Sequence, residues 1–184
     1  IMADPSGHEG DYDGCGQPEK GLSVARMIGH ITFMSDKSME DKFSRRLKSD
    51  RFSFGFDPDF EVERYLHYRG LNFVKRFDAN SYLYITKAID YFDLSGMKLI
   101  PFRKSISTRF LIISFKSDWL YPSHQSQEIV RLLKNRHADA TYCELSSTYG
   151  HDAFLVEIKE QTTLIKHFLD KTFNGYMVTG KHDI

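Results

Sequence analysis

Two polar side chains stand just past strand-like segments, where they could do acid–base chemistry together. Asp118 lies in Ser117-Asp-Trp-Leu-Tyr-Pro122, directly after the apolar run Phe110-Leu-Ile-Ile-Ser-Phe115. His151 lies in Tyr149-Gly-His-Asp152, after the shorter segment Thr141-Tyr-Cys-Glu-Leu145. A histidine that takes a proton needs a group to hold its tautomer and to stabilise the imidazolium, and a carboxylate one loop away can do both. Gly150 would let the backbone turn tightly and present the imidazole. Acid before histidine is the second half of a Ser…Asp…His chain order. Singly, each residue has a plainer reading: Asp118 as a cap for a helix starting near Ser123, and His151 as a hydrogen-bonded structural histidine. The nucleophile of such a triad is not evident. No serine has glycine at both positions two residues away; Ser95-Gly96 lacks the rest of that pattern, and Ser146-Ser147 lie too near His151 in the wrong order.

The elements that must position this pair alternate in type. Phe110 to Phe115 reads as a buried parallel strand, continuously β-rich. Ser123 to Lys134 reads as a helix, Thr141 to Leu145 as a second strand, and Asp152 to Leu169 as a helix carrying Phe154, Ile158, Ile165 and Phe168. This β-α-β-α order marks a parallel sheet, whose functional groups gather past the carboxyl ends of its strands.

The preceding region is of a different kind. Residues 1 to 21 are loop-like, with turn pairs Asp4-Pro5, Gly10-Asp11 and Asp13-Gly14 and a further breaker at Pro18. Helical texture begins at Leu22 and runs towards Phe33-Met34. Ser38-Met-Glu-Asp41 has capping-box form and introduces a helix through Phe43 and Leu47. Arg51 to Asp59 reads as a connector, followed by a helix over about 60–77. Asp78 is a cap for a fourth helix, whose apolar stripe is Ala79, Leu83, Ile85, Ile89 and Phe92. Gly96 and Pro101 close this helical block.

The bulk numbers exclude some partners. The 184 residues suit one domain or a lobe of something larger, and 41% hydrophobic with 14% aromatic residues is enough for a core. Basic and acidic residues balance at 25 each, which gives no support to a nucleic-acid or anionic-membrane partner. Cys15 and Cys143 lack C-x-x-C spacing and read as inert thiols in a reducing compartment. His8, His30, His67, His124, His137, His167 and His182 show no metal-ligand spacing and read nearly all as surface or capping residues. No apolar stretch has transmembrane length, and the opening Ile1 to Gly7 has neither a basic nor an apolar leader region. An opening on Ile reads as the interior of a longer phrase.

Several long stretches carry a resemblance. Gly21-Leu-Ser-Val-Ala-Arg-Met-Ile-Gly-His-Ile-Thr-Phe33, Phe77-Asp-Ala-Asn-Ser-Tyr-Leu-Tyr84, Asp90-Tyr-Phe-Asp93, Ser117 to Pro122 and Tyr149-Gly-His-Asp-Ala-Phe-Leu155 stand in order and correctly spaced. From about Met2 to about Glu157 the chain resembles homoserine O-acetyltransferases, over the carboxyl half of that family's length. The resemblance implies an α/β-hydrolase fold: the carboxyl-terminal part of its parallel sheet plus a helical lid. Residues 1–21 would lead from core to lid, 22–105 form the lid, and 106–184 return to the core. It implies transfer of acetyl from acetyl-CoA, a co-substrate and not a bound cofactor, to the hydroxyl of L-homoserine. An acetyl-serine enzyme would mediate the transfer, in methionine synthesis. His151 would be the base and Asp118 its orienting acid. Arg26 would pair with the substrate carboxylate and Asp152 lie near its ammonium group. Phe33 departs from the tyrosine common at that position. Tyr82, Tyr84, Tyr91 and Phe92 read as lid packing. A cytoplasmic homodimer joined through the lid is also implied, and the 184 residues alone, without the nucleophile, are expected to be inactive. Succinyl-CoA as donor, serine as acceptor, and a non-catalytic dimerising fragment are the alternatives.

Overall fold

The computed structural model describes residues 1–12, 14–93 and 108–179, with side chains to residue 175. Gly96, Pro101 and the expected 105–106 boundary lie outside the described residues. The chain divides into two compact units: one comprises the described residues of Ile1–Thr32 and Met39–Ile100, the other those of Phe33–Ser38 and Pro101–Ile184.

The first unit is helical. Following a 3-10 turn at Pro5–Gly10, α1 spans Glu19–Phe33, α2 Asp36–Lys42, α3 Glu61–Val74 and α4 Ala79–Tyr91, with Phe33 and the first three residues of α2 counted in the second unit. Each start has a local cause. Pro18, whose carbonyl accepts from the Leu22 amide at 3.0 Å, opens α1. Glu63 reaches back to the Asp59 and Phe60 amides at 2.9 and 2.8 Å and so satisfies donors at the start of α3. Asp78 caps α4 as expected, its carboxylate accepting from the Ser81 amide at 2.7 Å. The capping reading of Ser38 is corrected: α2 begins two residues earlier, and Ser35 caps it by accepting from the Ser38 amide at 2.9 Å. The connector 51–59 is bracketed by an antiparallel bridge between Leu47 and Phe60.

Leu22, Phe73, Val74 and Ala79 form the core of this unit, with Ile1, Tyr12, Phe77 and Tyr82 packed on it. Helices α1 and α3 approach closely at Gly70, where a Cβ would run into Ser23. Gln17 locks α3 to α4. Its amide donates to the Val74 and Phe77 carbonyls at 3.0 and 3.2 Å, and its oxygen accepts from the Ala79 amide at 3.0 Å. Of the aromatics expected to pack, Tyr82 does so edge-on to Phe73 and Phe77, whereas Tyr84, Tyr91 and Phe92 are exposed. The α4 stripe is likewise buried only at Ala79, with Ile85 and Ile89 exposed.

In the second unit β1 (Arg109–Phe115) and β2 (Asp139–Leu145) pair in parallel from Arg109↔Asp139 to Phe115↔Leu145. α5 (Ser123–Lys134) connects them and packs on both strands. Full burial of β1 is not observed. Only Ser114 and Phe115 are buried, because among the described residues β1 has one strand neighbour and few covering side chains. The expected last helix is split into α6 (Ala153–Val156) and α7 (Ile158–Thr179), broken at Glu157 with ψ 53°. Gln161 bridges the break, donating to the Phe154 and Glu157 carbonyls at 3.0 and 2.9 Å.

Candidate active site

The register of β1 and β2 delivers Phe115 and Leu145 side by side, so the loops that follow leave the sheet together. After β1 the chain turns at once, the Asp118 amide donating to the Phe115 carbonyl at 3.0 Å. Asp118 Oδ1 accepts from the amides of Leu120 and Tyr121 at 3.0 and 2.9 Å, which holds the carboxylate from its own loop. The helix-cap reading is therefore replaced, since α5 takes no side-chain cap and starts from Pro122. The carboxylate is buried, and its second oxygen, Oδ2, lies 2.8 Å from His151 Nδ1.

His151 occupies a 3-10 turn, Gly150–Asp152. Gly150 has φ +70°, and a Cβ there would meet the Ser35 nitrogen at 2.5 Å and the Phe33 oxygen at 2.9 Å. Only glycine satisfies both the left-handed backbone and the close approach. The Gly150 amide donates to Ser117 Oγ at 3.0 Å, so the residue before the acid anchors the residue before the histidine. With Nδ1–H directed at Asp118, Nε2 is the ring nitrogen left to accept a proton, and the side chain is 24% exposed. Rings of Tyr121, Phe154 and Phe33 surround the imidazole at centroid distances of 5.1, 5.4 and 5.7 Å. The arrangement suits general-base chemistry: a fixed tautomer, an anion behind it, and aromatic rings around it.

Asp152 follows His151 directly and is half-buried. Its side chain makes no capping hydrogen bond to α6. Arg26 lies on α1 in the first unit, half-buried, with its guanidinium 4.8 Å above the Phe73 ring. Burial, and then the nearby Arg76, pull its pKa below the usual arginine value. His30 departs from the surface reading. It is buried, its Nδ1 lies 3.2 Å from the Tyr65 hydroxyl, and its pKa falls to about 4 through burial and the charges of Arg26, Arg69 and Lys42. Among the described residues no group of three His, Cys, Asp or Glu could hold a metal ion. Sequence reasoning did not find the roles of Ser117, Ser35, Tyr121 and Phe154 around the histidine. Ser117 and Tyr121 share a motif with Asp118, which was the available signal.

No family model matches the chain. Curated relatives do. It is 55% identical over 174 residues to the homoserine O-acetyltransferase of Methanosphaerula palustris, covering 94% of this chain and 36% of that protein. The chain belongs to the homoserine O-acetyltransferase family. It spans between about a third and a half of the curated relatives' length. One relative carries the name homoserine O-succinyltransferase, that of Acidithiobacillus ferrooxidans: 48% identical over 176 residues, 93% of this chain and 46% of that protein. Among solved structures, the homoserine O-acetyltransferase of Bacillus anthracis superposes with TM-score 0.72 at 27% identity, over 86% of this chain and 43% of that one. The fold is accordingly that of the α/β-hydrolases, of which these residues supply a part. Among the described residues no helix is long and apolar enough to cross a membrane.

Proposed function

We propose that this chain is the lid and carboxyl-terminal core of a homoserine O-acetyltransferase, with residues 22–105 as lid and 106–184 as core. The observation that carries the reading is the 2.8 Å contact between His151 Nδ1 and the buried Asp118 carboxylate. A serine elsewhere in the full-length protein attacks the thioester carbonyl of acetyl-CoA. His151 Nε2 takes the hydroxyl proton and returns it to the departing CoA thiolate. L-Homoserine then enters, His151 takes its hydroxyl proton, and the alkoxide accepts the acetyl group as the serine oxygen leaves and regains the proton. Asp118 keeps the imidazole oriented and offsets its positive charge in both halves. Arg26 pairs with the substrate carboxylate, a task suited to a guanidinium fork, and Asp152 faces the ammonium group.

The product feeds methionine synthesis in the cytoplasm, and two copies pair through the lid. The exposed apolar side chains Val24, Ile28 and Ile31 on α1 and Ile85 and Ile89 on α4 support that pairing. The named succinyltransferase relative favours a second reading, in which the donor is succinyl-CoA. The test is thiol release by the full-length protein with L-homoserine and either donor. Homoserine-dependent release from acetyl-CoA, several-fold faster than from succinyl-CoA, is the expected result. The reverse preference selects the second reading, and ester hydrolysis indifferent to homoserine sinks both. The 184 residues alone are expected to show no turnover.

A further inference from the structure

The acid and the base sit on separate loops, and a 2.8 Å contact between them requires those loops to be held in mutual register. The strand pairing ends at Phe115↔Leu145, so residues beyond it need other anchors. One anchor comes from a distant stretch of sequence, Phe33–Ser38, which belongs to the same compact unit. Ser35 is 3% exposed, and its hydroxyl donates to the Thr148 carbonyl, three residues before His151. The same oxygen accepts from the Ser38 amide at 2.9 Å, which orients it from the start of α2. On the acid side, the Trp119 indole donates to the Met34 carbonyl at 3.0 Å. Gly150 presses against the backbone of Phe33, Met34 and Ser35 between these two ties. The segment therefore grips the base's loop with one residue and the acid's loop with the residue before it.

We propose that Ser35 is a positioning residue for His151, acting through the Thr148–Gly150 backbone, with the Met34–Trp119 hydrogen bond as the matching tie on the Asp118 side. This rests on the reading of His151 as the general base. Loss of the Ser35 hydroxyl frees the Thr148 carbonyl, and the imidazole drifts from Asp118 while Arg26, on α1, stays as it was. A misplacement approaching 1 Å costs on the order of 10²-fold in rate.

The test uses the full-length protein with Ser35→Ala, Ser35→Thr and Trp119→Phe. For Ser35→Ala, kcat falls about 10- to 100-fold, with KM for acetyl-CoA nearly unchanged and KM for homoserine raised no more than about a few-fold through the adjoining Asp152, as expected of lost orientation more than of lost binding. The low-field proton resonance of His151 Nδ1–H broadens or disappears. Ser35→Thr, which keeps the oxygen, restores both readouts, and Trp119→Phe lowers kcat by a smaller factor in the same pattern. A Ser35→Ala protein that loses only thermal stability, with kcat and the His151 resonance intact, overturns the inference. Should Ser35→Ala fail to fold, Trp119→Phe decides: an unchanged resonance and kcat overturn it. An unmodified protein without acyl transfer would instead sink the base assignment, and the resonance would still report whether Ser35 holds His151.

Discussion

His30 and His151 are both histidines set against aromatic rings, and their surroundings are opposite in sign. His30 is 8% exposed, with Arg26, Arg69 and Lys42 as its charged neighbours. Burial and those cations disfavour its protonated form, and the Tyr65 hydroxyl meets its Nδ1. Beside His151 a carboxylate stands 2.8 Å away, and the side chain is partly open to solvent. One imidazole is built to stay neutral as packing, and the other has a partner for the charge it would acquire. Residue type permits the chemistry, and the neighbouring charges select it.

The contrast can be broken most sharply at the acid–base pair. In the full-length protein His151→Ala and Asp118→Asn are each expected to lower kcat by about 10⁴-fold, the scale seen when a triad loses its base or the base's orienter. His30→Gln, assayed alongside by the same thiol release, should stay within a few-fold of the unmodified protein. Equal losses at both histidines would erase the distinction. Next in size is Arg26. A charge-assisted hydrogen bond is worth about 1.5–3 kcal/mol, so Arg26→Ala should raise KM for homoserine roughly 10- to 100-fold. Steady-state kinetics showing KM unmoved would return Arg26 to its place over Phe73 as packing alone.

Stability measurements sharpen the comparison further. Gln17→Ala strips partners from two carbonyls and an amide where α3 meets α4, and should cost about 2 kcal/mol in urea unfolding with activity below the midpoint largely kept. Comparable in size is the pH dependence from His30. Its folded pKa of about 4 lies below the ordinary 6.5, so between those values the unfolded chain binds the additional proton. Stability from this group is complete above 6.5 and is lost as pH falls towards 4. The gap in urea midpoint between the two ends of that window should narrow in His30→Gln, and an unchanged gap would assign the dependence to other groups.

Much of the fold was legible from local chemistry. Asp78 as a cap, the helix Ser123–Lys134 and both parallel strands follow from spacing and from residues that satisfy their own backbone, and the structure has them there. Misreadings cluster where a pattern fits more residues than the folded chain uses. Ser38 looked like a cap because a serine followed by an acid three residues later fits the pattern, yet Ser35 does that work. The α4 stripe has helical spacing, but spacing cannot say which apolar face finds a neighbour, and Ile85 and Ile89 are exposed.

The amino-acid sequence by itself determined the candidate pair Asp118 and His151, their order, and the family, because motif identity and spacing are properties of the chain. Only the tertiary structure decided that they meet, since a 2.8 Å contact depends on strand register and on two turns that no single segment specifies. It also decided that Phe33–Ser38 reaches the histidine loop, over a separation of more than a hundred residues. It decided, too, that His30 is buried among cations. Local pattern carries secondary structure, whereas burial and charge neighbourhood arise only once the chain has folded upon itself.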